Sequence, residues 1–71
     1  MRLKELRKER NITQLKLAMD LNLSQNTISR YETGVREASY SELIKIADYF
    51  DVSIDYLLNR TDIPDFIKDK K

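Results

Sequence analysis

Seventy-one residues with no Cys, no His, no Trp, one Gly and one Pro allow one small domain at most, with neither a disulfide framework nor a thiolate metal site to brace it. A hydrophobic share of 41% is too high for a disordered chain, so a small core has to come from helix packing or a partner. The net charge of +1 hides a basic part through Arg36, with eight Lys or Arg against four Asp or Glu, and an acidic remainder with five against eight. A basic half suits a polyanion, although a surplus this modest also describes an ordinary solvated surface. Apolar runs are two or three residues long, and the opening MRLKELRKER is charged where a signal peptide is apolar. These features predict a cytoplasmic domain with no membrane contact.

With so little Gly and Pro, the breaks between elements fall to Asn, Asp, Ser and Thr. The first helix is predicted from Arg2 to Arg10, with Leu3 and Leu6 on one face and a left-handed stop at Asn11. Ile12 packs inward, and Thr13 caps a second helix to Leu21 that buries Leu17, Ala18 and Leu21. After Asn22, Ser24 caps a third helix over Gln25 to Glu32, with Ile28 and Tyr31 inward. Its other face carries Gln25, Asn26, Thr27, Ser29 and Arg30, and Thr33-Gly34 closes it. Ser39-Tyr40-Ser41-Glu42 reads as a capping box opening a fourth helix to Phe50 through Leu43, Ile46 and Ala47. Asp51 to Ser53 is a turn, Ser53 caps a fifth segment with Ile54, Leu57 and Leu58, and a tail follows from residue 61 with Pro64 in it. The fold class is therefore all-α, five helices with short connections.

The second and third helices are joined by Asn22-Leu23 alone, too short for side-by-side antiparallel packing, while the small Ala18 opposite Ile28 permits a close, steep crossing. That is a helix-turn-helix. Over residues 2 to about 60 the chain resembles the lambda-repressor-like, Cro-type family, also called the xenobiotic-response-element family. The resemblance rests on L-x-x-L-R at Leu3 to Arg7, I-T-Q at Ile12 to Gln14, L-A-x-x-L at Leu17 to Leu21 and L-S at Leu23-Ser24. It continues with T-I-S-R-Y-E-x-G at Thr27 to Gly34, L-I-K-I-A-D-Y-F at Leu43 to Phe50, and V-S-I-D-Y-L-L at Val52 to Leu58. Order and spacing make these individually weak strings specific. The chain departs from the family pattern with Asn11, Asn22 and Asp51 where Gly is usual, Ala38 where Pro is, and Lys16 where Glu often completes a capping box with Thr13. Asn and Asp tolerate positive φ best among residues with a Cβ, so the turns survive.

The resemblance implies a sequence-specific, DNA-binding transcriptional regulator, a repressor by family prior, binding a pseudo-palindromic operator as a homodimer. It makes the third helix the recognition helix, with Gln25, Asn26, Thr27 and Arg30 at base edges. Gln or Asn pairs with adenine, Arg with guanine, and the Thr methyl touches a thymine methyl. Gln14, Lys16, Ser24, Thr33 and Arg36 are the phosphate candidates, clustered at or near helix N-termini and after the third helix; Lys8 and Arg10 are weaker ones, as readily plain surface charge. Arg7 and Glu32 match a family pair expected to form a partly buried, structural ion pair. Ile54, Tyr56, Leu57 and Leu58, with Ile63, Phe66 and Ile67 in the tail, exceed what a five-helix core obviously needs and are the dimer candidates; the alternative is that the fifth helix merely closes the core and the tail is disordered. Leu15 and Met19 are read as incidental surface residues. In the family the string Asp55 to Asp62 often precedes a further domain.

No His, no Cys, no Gly-rich phosphate loop and no ligand-spaced cluster argue against an enzyme, a cofactor, a metal or a small-molecule ligand. The rival is a protein-interaction module or antitoxin on the same fold, holding its partner with the fifth helix and tail. Such a module calls for an apolar or acidic outer face on the third helix; Gln25, Asn26, Thr27 and Arg30 are neither.

Overall fold

Hydroxyl side chains begin four of the helices and left-handed residues end the chain's tight turns, in a computed structural model that describes residues 1–64. The elements are α1 (Leu3–Glu9), α2 (Gln14–Leu21), α3 (Gln25–Thr33), α4 (Tyr40–Phe50) and α5 (Ile54–Leu57), with no strand among the described residues. Thr13, Ser24, Ser39 and Ser53 have extended backbone, and each hydroxyl accepts the N–H of the residue three positions on, at 3.0 to 3.2 Å. α1 lacks such a cap and is shorter than the sequence suggests, starting one residue later and ending at Glu9.

Asn11, Asn22, Gly34, Asp51 and Asn59 take φ of 58°, 59°, 80°, 58° and 65°. After each, the next N–H bonds back to a carbonyl five residues earlier, as Leu23 does to Ala18 at 2.8 Å and Val52 to Ala47 at 3.0 Å. These bonds satisfy helix-end carbonyls and turn Ile12, Leu23 and Val52 toward the core, where Val52 is buried and the other two half-buried. Gly34 is the one glycine used for this, and α3 runs one residue further than expected to meet it.

Leu3, Leu17, Ile28, Ile46, Phe50 and Leu57 are the interior, with Tyr31 and Ala18 among them. α2 packs chiefly on α3, α1 also on α3, and α4 on α2 and α5. Ala18 and Ile28 are both buried between the helices of the turn, as a close crossing requires. Tyr31 donates its hydroxyl to the Glu42 carboxylate and so ties α3 to α4. Burial first, and the Glu42 carboxylate second, push the Tyr31 phenol up to about 12. The same bond first, then the Ser39 backbone N–H, holds the Glu42 carboxyl below its usual range despite the cost of desolvation.

Three cations close the remaining gaps. Lys45 donates to the Leu21 carbonyl at 2.8 Å, capping the end of α2. Arg10 donates to the Phe50 carbonyl at 2.8 Å with its guanidinium carbon 5.3 Å from that ring's centre. Arg2 lies 4.1 Å from the Tyr56 ring centre and donates to the Tyr56 and Thr61 carbonyls at 2.7 and 3.0 Å and to Asp62 at 3.1 Å. With the Ser53 N–H on the Pro64 carbonyl at 2.8 Å, residues 61–64 lie against α1 and α5.

Candidate nucleic-acid interface

α3 divides into two faces because Ile28 and Tyr31, three residues apart, are its buried anchors. The opposite side carries Gln25, Asn26 and Arg30, all exposed, with Ser29 half-buried between them. Gln25, Asn26 and Ser29 meet Gln14 from the start of α2 around an open depression of about 400 Å³, lined only by amide and hydroxyl side chains. Arg30 enters no ion pair among the described residues. Ser29 is the site residue that sequence reasoning left without a role. Its spacing of three from Asn26 and four from Gln25 already put it on this face.

The base of α3 is held by a charge network. Arg7 donates to both Glu32 oxygens, Nε at 2.6 Å and Nη2 at 3.1 Å, and its Nη1 donates to the Ile12 carbonyl at 3.0 Å. The Glu32 side chain is 2% exposed and that of Arg7 12%. Gln14 Nε2 donates to the same carboxylate at 3.0 Å, so the head of α2 and the C-terminal end of α3 are linked through Glu32. The hydrogen bond to Glu32 raises the Arg7 pKa above its ordinary value, against the opposing effect of burial.

The other phosphate candidates are variously committed. Lys16 pairs with Asp20 at 3.1 Å. The Ser24 hydroxyl caps α3 and lies 2.8 Å from the hydroxyl of the half-buried Thr27. Thr33 donates to the Ser29 and Arg30 carbonyls of its own helix at 3.1 and 3.3 Å. Arg36 is exposed beside a second, more apolar depression of about 450 Å³ between Tyr31, Ala38, Leu43 and Leu58. Lys8 is exposed, whereas the Arg10 guanidinium is spent on Phe50.

This architecture agrees with the comparisons: the model of the helix-turn-helix family matches residues 3–57. The chain belongs to the lambda-repressor-like helix-turn-helix family. It is 43% identical over 56 residues to the uncharacterized HTH-type transcriptional regulator YqaE of Bacillus subtilis, covering 79% of this chain and 48% of YqaE. It is 37% identical over 62 residues to the HTH-type transcriptional regulator ImmR of the same organism, covering 87% and 49%. It is also 37% identical over 59 residues to the cryptic phage CTXphi transcriptional repressor RstR of Vibrio cholerae, covering 83% and 53%. The chain thus spans about half the length of these curated relatives. No solved structure matches it.

Within this helix-turn-helix domain the apolar surplus of the sequence divides. Leu57 is a correction: at 0% exposure it is the α5 anchor of the core, since the four-residue helix has one side turned fully inward and Leu57 fills it. Ile54 and Tyr56 are half-buried, Leu58 and Ile63 are exposed, and Phe66 and Ile67 lie outside the described residues. Leu15 and Met19 are exposed on α2. Among the described residues no helix is long and apolar enough to cross a membrane.

Proposed function

We propose that the chain is the sequence-specific DNA-binding domain of a transcription regulator that inserts α3 into the major groove. The observation that carries this is the outer face of α3, where Gln25, Asn26 and Arg30 stand exposed on a helix locked from behind by Ile28, Tyr31 and the Arg7–Glu32 pair. Gln and Asn match the donor and acceptor of adenine, and Arg30, in no ion pair among the described residues, matches guanine. Around them, the N–H groups that begin α2 and α3, with Gln14, Ser24 and Arg36, supply phosphate contacts that fix register.

The functional unit is a homodimer on a pseudo-palindromic operator. Two recognition helices about 34 Å apart read half-sites one turn apart. Ile54, Tyr56, Leu58 and Ile63 supply the apolar two-fold contact from α5 and the segment after it. Bound protein represses by occupying the promoter. The curated names support a regulator, and RstR is itself called a repressor, while the Enterococcus faecalis relative BcrR is called an activator.

Selection from a random duplex pool, with mass measured in solution alongside, tests the sequence-specific binding and the dimer. A two-fold-symmetric motif bound by a dimer is the expected result. A folded chain without duplex affinity would transfer the fold to a protein-interaction role.

A further inference from the structure

Lys16, Asp20 and Tyr49 form a linked chain of side chains from α2 to α4. Lys16 Nζ donates to Asp20 Oδ1 at 3.1 Å, and the Tyr49 hydroxyl donates to Asp20 Oδ2 at 2.6 Å. The Tyr49 ring is fixed in turn, edge-on to the buried Phe50 with centroids 5.0 Å apart and planes at 84°. A surface Lys–Asp pair one helical turn apart is ordinarily weak and free to come apart. Here the carboxylate is tethered from a second helix, and both of its oxygens are occupied.

The direction of the pair is the informative feature. Side chains on a helix lean toward its N-terminus. Lys16, the single cation of α2, sits in the first turn, where that lean carries its ammonium toward the helix head and Gln14. Pairing with Asp20 instead draws it one turn the other way. We propose that Asp20, anchored by Tyr49, is a built-in counter-charge that holds Lys16 back from the DNA backbone and lowers the sequence-independent part of the affinity. This rests on the DNA-binding reading above. Without the Asp20 charge the ammonium is free to move back by about one helical turn, from roughly 9 Å to roughly 4 Å of a phosphate at the helix head. In the bulk-water limit, removing that one negative charge raises affinity about threefold.

The test measures binding of the whole chain to a mixed-sequence duplex by fluorescence anisotropy at about 50 and about 200 mM salt. Asp20→Asn is expected to bind about threefold tighter at the lower salt, with the slope of log affinity against log salt steeper by up to about 0.9. In a Lys16→Ala background the gain should nearly vanish, and Asp20→Glu should bind as the wild type does. An unchanged affinity for Asp20→Asn, the same gain without Lys16, or a gain in Asp20→Glu would each overturn the proposal. Asp20→Ser removes the charge in a second way and takes the place of Asp20→Asn if melting shows that variant unfolded. A wild-type chain that binds no duplex at all refutes the DNA-binding reading itself, whereas a binding wild type with a silent Asp20→Asn refutes the counter-charge alone.

Discussion

Removing the Glu32 carboxylate tests whether the network beneath α3 bears on stability. Glu32→Ala leaves the Arg7 guanidinium, 12% exposed, with only the Ile12 carbonyl as partner among the described residues, and frees the Gln14 amide at the same time. Breaking one side of a buried pair costs about 3 to 5 kcal/mol, because the surviving charge stays desolvated. Arg7 keeps some contact with water, which places the expected loss near the lower figure, about 3 kcal/mol. For a domain of this size each kcal/mol lowers the melting temperature by about 4 to 8 °C, so the expected fall is about 12 to 24 °C. Urea unfolding followed by far-ultraviolet circular dichroism reads the free energy directly, with an unchanged m-value as the check on two-state behaviour. Arg7→Ala should cost at least as much, since Glu32 is the more deeply buried partner. The coupling in the double variant should be large. A loss below about 1 kcal/mol for Glu32→Ala would put the pair among ordinary surface ion pairs and refute the argument.

Further expectations concern other parts of the molecule. Arg30→Ala and Gln25→Ala should relax base preference in the selected motif while changing stability by no more than about 0.5 kcal/mol, and a larger loss would assign them to the fold. Asn22→Ala should destabilise by about 1 kcal/mol and Asn22→Gly should not, since the position is left-handed at φ 59°; equal melts for the two would refute the strain argument. Stability should fall at both pH extremes through the Tyr31–Glu42 bond. Glu42, lowered in the folded state, stabilises above its ordinary 4.5, and that contribution is lost as pH falls through the lowered value. Tyr31, raised to about 12, stabilises below its ordinary 10.0, and that contribution is lost as pH rises between the two. A Tyr31→Phe variant with an unchanged stability profile over both ranges would refute the assignment.

The helix boundaries were legible because they are local. A hydroxyl at Thr13, Ser24, Ser39 or Ser53 meets an N–H three residues on, and Asn11, Asn22, Gly34 and Asp51 end helices through backbone preferences carried by the residue itself. Period and spacing likewise separated the buried Ile28 and Tyr31 from the exposed Gln25, Asn26 and Arg30. What sequence reasoning could not separate is how cations and apolar residues with several possible partners are spent. Arg10 and Arg2 look like free surface charge until Phe50 and residues 56–62, some 40 and 54 or more positions away, are folded against them. Leu57 and Leu58 are neighbours of one chemistry, yet one fills the core and the other faces out, because α5 offers one inward position and the packing of α1 and α4 decides which residue takes it. Lys16 shows the same division. Its place in the first turn of α2 follows from the Thr13 cap, but the carboxylate that holds it is fixed by a tyrosine 29 residues beyond Asp20, and only the tertiary structure brings those helices together.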